Sequence, residues 1–215
     1  MIDHIFMLID PDGPEIGQMR DLGLVETYRR VHPGQGTRNV CYCFDNMFLE
    51  LLWVDDPKAA LSPLIRRTGL YDRSFWRSRE VCPFGIAWRA PASGAEPAIS
   101  TWAFSPPYLP VGMTIAVAAD SDDLRQPMMF RSPGSAAPID WLPEKRGGLQ
   151  HDCGLGAVQE IILTMPALVP ACEALKTIAA DSKPRLTLAR GNAWHLEMRI
   201  AGLNGRSDLI LAIPD

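Results

Sequence analysis

The sequence has no excess of basic charge, no long apolar run and few cysteines, and each absence closes off a class of protein. Lys and Arg number 21 against 25 Asp and Glu, a formal charge of −4, so there is no electrostatic footing for nucleic acid, which calls for a basic face. No apolar stretch nears the roughly 18 residues that span a bilayer. The opening Met1-Ile2-Asp3-His4 runs straight into strand-like sequence with no basic leader, the pattern of a chain without a signal peptide. Five cysteines, an odd number, fit free thiols in a reduced, cytoplasmic setting rather than a disulfide framework. Gly-x-Ser-x-Gly, Walker-loop, Cys-x-x-Cys and His-Glu-x-x-His patterns are missing as well, which argues against the chemistries they carry. The partner this leaves is a small molecule, with neither nucleic acid nor membrane involved.

What is present is the material of a folded domain. Apolar residues make up 47% and charged residues 21% of 215, ample for a buried core. The 17 Gly and 19 Pro point to many turns and short elements. Residues 2–9 read as a strand apolar on both faces, with Ile2, His4, Phe6 and Leu8 on one and Asp3, Ile5, Met7 and Ile9 on the other. A short helix over 15–22, stopped by Gly23, and strands over 24–31, 38–44 and 47–54 follow, the last two joined by an Asp45-Asn46 turn. The first 56 residues therefore read β-α-β-β-β. A helical, charged connector is expected over 57–81, middle strands over 82–133, a linker over 133–148 and a second β-α-β-β-β over 155–215.

Two polar residues stand out against apolar strands. Glu50 lies in Met47-Phe-Leu-Glu-Leu-Leu-Trp-Val54, between Phe48 and Leu52 on its own face. A buried carboxylate costs several kcal/mol unless it is paired, hydrogen-bonded or metal-bound. His4 sits in the same way between Ile2 and Phe6. Imidazole and carboxylate on neighbouring strands suit Zn, Fe, Mn or Ni. From these two residues alone, a metal-free hydrogen bond between them in the core accounts for the pattern equally well.

The strand Ile2-Asp3-His4-Ile5, followed by α-β-β-β and a final strand carrying Leu49-Glu50-Leu51, resembles the vicinal oxygen chelate superfamily. His32-Pro-Gly-Gln-Gly-Thr37, Phe44-Asp-Asn46, Leu49-Glu-Leu-Leu-Trp53, Cys82-Pro-Phe-Gly-Ile86, Tyr108-Leu-Pro110 and Gln150-His151 before Gly154-Leu-Gly-Ala157 are similar, more narrowly, to the glyoxalase-like domain family. The resemblance implies an α+β fold of paired βαβββ modules whose curved, mixed sheets surround a cavity, within one chain or between two subunits of a homodimer. It also implies a divalent metal, with ligands from the first and fourth strands of each module. Here these are His4 and Glu50 in module one. No ligand stands near Gly85 or over 128–130, while in the terminal repeat Glu160 aligns with His4 and Ile210 with Glu50. His151, just before that repeat, is the candidate to complete the set.

Other features admit two readings each. The loop 32–37 is either a tight glycine turn or a small anion cradle of backbone N–H groups, and His32 at its edge is a candidate acid or base. Cys41 and Cys43 share a strand face, either as buried small hydrophobes, the reading favoured, or for metal or redox work. Cys82, beside a basic segment, is a candidate thiolate. Arg73, Arg77 and Arg79, interleaved with Phe75 and Trp76, form either a solvated face or a carboxylate-binding patch, with Arg77 its candidate. His195, Glu197 and Arg199 share a face that is either solvated or lines a pocket. Taken together, the expectation is a glyoxalase-like enzyme acting on a small oxygenated molecule, of isomerase, lyase or dioxygenase type. Glu50 and His32 are its catalytic candidates, His4, Glu50 and His151 its metal ligands, and Arg77, Trp53 and Trp88 its substrate contacts. The alternative is a metal-free protein that sequesters a small hydrophobic molecule, as drug-resistance proteins do.

Overall fold

Each stretch expected to be strand contains one, although the one expected over 24–31 begins only at Tyr28, and the strands sort into two sheets. The computed structural model describes residues 1–90 and 96–214; residues 91–95, inside the Pro-, Gly- and Ser-rich stretch, and residue 215 lie outside it. The first sheet contains β1 (Ile2–Leu8), β2 (Tyr28–His32), β3 (Thr37–Cys43), β4 (Phe48–Val54), β5 (Phe84–Trp88), β6 (Thr101–Phe104), β7 (Ile115–Ala118) and β8 (Met128–Arg131), in the order β2-β3-β4-β1-β5-β8-β7-β6. The second contains β9 (Leu155–Pro166), β10 (Arg185–Gly191), β11 (His195–Gly202) and β12 (Leu209–Ile213), in the order β10-β9-β11-β12. The fold is mixed α+β, as expected.

The eight-stranded sheet is built from two similar halves. In the first, β1 pairs in parallel with β4, and β4, β3 and β2 continue antiparallel. In the second, β5 pairs in parallel with β8, which runs antiparallel to β7, as β7 does to β6. The halves join along β1 and β5, which are antiparallel. The middle strands thus complete the first sheet. The terminal segment has the expected order of elements with a different connection: its helix α5 (Glu173–Ala180) links β9 to β10, which pair directly and in parallel.

Helix α1 (Pro14–Asp21) starts on a proline at its first turn, with Glu15 beside the positive end, and the chain turns back at Gly23. The helix expected over 57–81 is only short pieces: α2 (Pro57–Ala60), a 3₁₀ turn at Arg66–Thr68 and α3 (Leu70–Arg73). Pro63 interrupts the hydrogen-bond ladder, and Gly69, at φ +68°, turns the chain between the last two. Arg73 is fully buried there and donates to the carbonyls of Cys82, Ser121, Leu124 and Gln126, stapling the connector to the segment before β8. One further short helix, α4 (Pro143–Arg146), precedes β9.

The sheet's two faces carry different burdens. Ile5 and Met7 of β1, Leu49, Leu51 and Trp53 of β4, and Phe84, Ile86 and Trp88 of β5 pack with Leu163 of β9, Leu175 of α5 and Met198 of β11 into the main core between the sheets. Phe6, Leu8, Leu52, Phe104, Ile115 and Met128 cluster on the opposite face. There the sheet wraps a cavity.

Candidate functional site

The cavity has a volume of about 400 Å³, within the range of small-molecule sites. One side is lined by Asp3, His4, Tyr28, Arg30, His32, Gln35, Asn39 and Glu50; the other is apolar, formed by Leu70, Phe104, Ile115, Met128 and Phe130. Most of the polar groups thus come from module one, with Tyr108 and Ser132 added from the second half of the sheet.

Asp3 and His4 are consecutive, and in a regular strand they would face opposite ways. The β1–β5 register shifts between Ile2 and His4. This irregularity lets Ile2 join the main core while both Asp3 and His4 line the cavity. His4 Nδ1 and Asp3 Oδ2 lie 2.7 Å apart. Asp3 Oδ1 is 3.5 Å from Arg89 Nε, and Arg89, itself buried, also donates to the carbonyl of Asn46 at 2.6 Å. A carboxylate held in this way orients an imidazole by accepting a hydrogen bond from its Nδ1–H, which leaves Nε2 as the nitrogen offered to the cavity. The His4 ring is fixed further by stacking on Phe48, with centroids 4.3 Å apart, and by the edge of Phe130 at 5.4 Å.

Glu50 meets this nitrogen from β4. Its Oε2 lies 3.6 Å from His4 Nε2, too far for a direct hydrogen bond and close enough to face the same reacting atom. Its Oε1 accepts from Asn39 Nδ2 at 2.5 Å. His32 lies at the end of β2, beside Tyr108 at 5.0 Å between ring centroids. Burial lowers its pKa, partly offset by nearby Glu50. Burial, with Glu50 adding to it, raises the pKa of the Tyr108 phenol, and burial foremost raises that of Tyr28, so both stay protonated as donors.

The other expected residues do not join them. Trp53 and Trp88 belong to the main core; the same alternation that puts Glu50 in the cavity sends Trp53 to the opposite face. His151 is exposed at a turn, with Nε2 2.5 Å from Oδ1 of Asp45. Arg77 lies over the Trp76 ring and is claimed by two carboxylates, Asp10 at 3.1 Å and buried Glu15, so it is not free to take a ligand carboxylate. It lines a second cavity, of about 880 Å³, that does not include His4 or Glu50. His195 and Glu197 lie 3.6 Å apart on β11. Cys82 is no thiolate: burial raises its pKa to about 12, outweighing the charge of Arg73. Asp3, Asn39 and Arg30 are cavity residues the sequence reading missed; the signal for Asp3, a carboxylate in a strand otherwise apolar on both faces, was there.

The donors do not fit the divalent ion that the resemblance implies. His4 and Glu50 supply two, where a tetrahedral or octahedral site in a protein takes three or more. The corresponding strands of the second half place Gly85 and Ala87, and Met128 and Phe130, toward this face. A β-carbon on Gly85 would stand 1.9 Å from Phe6 Cε1, so the ring of Phe6 already fills the place a ligand side chain would need. Among the described residues no group of three or more His, Cys, Asp or Glu is placed to hold an ion.

No curated protein matches. Several solved structures share low similarity. A methylmalonyl-CoA epimerase from Mycobacterium tuberculosis is 14% identical over 60% of this chain and 85% of that chain, with a TM-score of 0.37. A variant of the Streptomyces coelicolor methylmalonyl-CoA epimerase, in complex with 2-nitronate-propionyl-CoA, is 15% identical over 62% and 97%, with a TM-score of 0.40. A hypothetical protein from Staphylococcus aureus is 13% identical over 98% and 84%, with a TM-score of 0.41. The glyoxalase-like domain model matches residues 2–109, a span that takes in β1, β4, the loop after β2 and Tyr108. With His4, Glu50, His32 and Tyr108 all inside that match and all lining one cavity, the chain belongs to the glyoxalase-like domain family.

Proposed function

We propose that this protein is a proton-transfer enzyme of isomerase or lyase type, acting next to the carbonyl of a small, oxygenated, largely apolar molecule. The observation that carries the reading is the buried array Asp3–His4–Glu50, with its 2.7 Å and 3.6 Å separations, on the polar side of a cavity otherwise lined with aromatic and aliphatic groups. The array converges an oriented imidazole nitrogen and a carboxylate oxygen on one point, the arrangement general acid–base catalysis requires. Glu50 Oε2 takes a proton from the carbon beside the carbonyl, and the electron pair moves into the C=O to give an enolate. His4 Nε2 takes or returns the proton of a neighbouring hydroxyl, its positive form stabilised by Asp3. The apolar wall holds the rest of the molecule and keeps water out. Dioxygenase chemistry of this superfamily calls for a redox metal, which this donor set does not fit.

The test uses 2-hydroxyacetophenone, which carries an aromatic ring, a carbonyl and an exchangeable carbon-bound proton. Exchange of that proton for deuterium is followed by proton NMR in D₂O. The reading expects catalysed exchange by the wild type and loss of about 10²-fold or more in Glu50→Gln and His4→Ala. Saturable binding with no exchange above the buffer rate would instead support the sequestering reading, which the apolar share of the lining favours.

A further inference from the structure

We infer that His32 is a catalytic hydrogen-bond donor, presenting a fixed Nε2–H to the substrate oxygen on which negative charge develops; this rests on the proton-transfer reading above. The geometry lies behind the ring. His32 Nδ1 is 2.8 Å from Thr37 Oγ1, and Gln35 Nε2 donates to that same oxygen at 2.8 Å. Thr37 and Gln35 are both buried, at 1% and 5% exposure. A hydroxyl has one proton to give. Thr37 Oγ1 already accepts from Gln35, and among the described residues the acceptor facing its own proton is the lone pair of His32 Nδ1. If Nδ1 carried a proton instead, the buried hydroxyl proton would be left without a partner, at a cost of about 1–3 kcal/mol. The ring proton therefore sits on Nε2, the nitrogen turned away from Thr37, on a ring that lines the cavity.

Burial, more than charge, favours the neutral ring. Burial disfavours the imidazolium, and Arg30 on the same strand and His4 on β1 add to that; Glu50 on β4 opposes them. A neutral, preoriented N–H stabilises an enolate oxygen while keeping its own proton. The division of labour follows: Glu50 removes the carbon proton, the pair of electrons passes to the carbonyl oxygen, and that oxygen is held by His32. Thr37 and Gln35 are positioning residues. The ligand feature being read is an uncharged carbonyl oxygen, one carbon away from the acidic C–H.

The test combines imidazole ¹⁵N spectra with the exchange assay. In protein labelled at the histidine nitrogens, His32 is expected as the Nε2–H tautomer at neutral pH, titrating below the ordinary imidazole range. Thr37→Val is expected to lose the single tautomer, and Thr37→Ser to restore it. In the 2-hydroxyacetophenone assay, His32→Leu is expected to lose about 10²-fold, and His32→Gln, which keeps an N–H, to recover most of that loss. An Nδ1–H tautomer, an imidazolium at neutral pH, or exchange by His32→Leu equal to wild type would overturn the inference while leaving the Glu50 result to stand. Undiminished exchange in Glu50→Gln, or none in the wild type, would bring down the proton-transfer reading and not the tautomer, which the spectra read without substrate.

Discussion

The ring of Phe6 occupies the space where a side chain at Gly85 would begin. A β-carbon there would meet Phe6 Cε1 at 1.9 Å and Cζ at 2.2 Å, and the two residues face each other directly across the β1–β5 ladder. Phe6 in turn lies in the buried cluster under the cavity, so it has little room to yield. Gly85→Ala is expected to destabilise the protein by about 1–3 kcal/mol through overpacking, read from the urea midpoint. An unchanged midpoint would mean that Phe6 moves freely, and that the second half of the sheet is not committed to an apolar wall.

The same contact bears on metal binding. With Phe6 over Gly85 and with Met128 and Phe130 opposite, His4 and Glu50 act as an isolated pair of donors. Zinc titrated into chelator-treated protein, followed by calorimetry, is expected to give no tight one-to-one binding, and His4→Ala and Glu50→Ala are expected to leave the titration unaltered. Stoichiometric tight binding that both substitutions abolish would show that a third donor reaches the ion, and would return the site to Lewis-acid chemistry.

Much of this arrangement could be read from sequence, and the exceptions have physical causes. His4 and Glu50 announced themselves because each interrupts an apolar strand face, and they do meet, 3.6 Å apart. Asp3 stands out in the sequence as a carboxylate in an apolar strand, but its place in the cavity depends on a register shift that no period-two count anticipates. Trp53 was chosen for its aromatic character against the alternation of its own strand, and the alternation won. Arg77 looked available because its partners, Asp10 and Glu15, are more than 60 residues away in sequence. The terminal β-α-β-β-β order was legible; its pairing was not, since the order of elements leaves open whether a helix returns the chain to the adjacent strand, as between β9 and β10, or to one placed further off.

Arg73 is the clearest case of a residue whose role reverses on folding. Read as part of a basic surface patch, it is fully buried, and its guanidinium serves the backbone carbonyls of Cys82, Ser121, Leu124 and Gln126. Burial outweighs all else in lowering its pKa. Arg73→Met keeps much of the volume but strands those carbonyls in a dry interior, each costing about 1–3 kcal/mol where no other donor reaches it. Chemical denaturation is expected to show a loss of about 3 kcal/mol or more; a loss under about 1 kcal/mol would mean that water replaces the guanidinium and that the staple is dispensable.

Buried thiols set an alkaline limit. Burial pushes the Cys82 pKa up to about 12, that of Cys172 to about 11, and that of Cys41 well above its ordinary value. When an acid's pKa is raised by folding, the native state holds its proton after the unfolded chain has lost it. Stability is then intact below the unfolded thiol pKa near 9 and falls as pH rises from there toward 11–12. Melting temperature is expected to decline across that window, and Cys82→Ala to make the decline shallower. Iodoacetamide at pH 8 is expected to spare Cys41 and Cys82 in the folded protein. Rapid alkylation of Cys82 would contradict both its burial and this pH dependence.

The most demanding prediction concerns Asp3, because it separates orientation from mere charge. Its carboxylate accepts the Nδ1 proton of His4 and is itself anchored 3.5 Å from Arg89. In Asp3→Asn the shape is kept, yet an amide can turn its NH₂ toward Nδ1. The imidazole then answers with the other tautomer, moves its proton to Nε2, and has no lone pair left to offer the cavity. Arg89 retains its bond to the Asn46 carbonyl, so the fold has a means of surviving the change. Exchange of 2-hydroxyacetophenone is expected to drop by about 10²–10⁴-fold, while the thermal transition stays cooperative. His4 ¹⁵N shifts distinguish the causes: a switch from the Nδ1–H to the Nε2–H form accompanies the loss if Asp3 acts by orienting the ring. A variant that keeps full exchange, whichever tautomer it adopts, would leave His4 as a spectator stacked on Phe48 and reduce the chemistry to Glu50 alone.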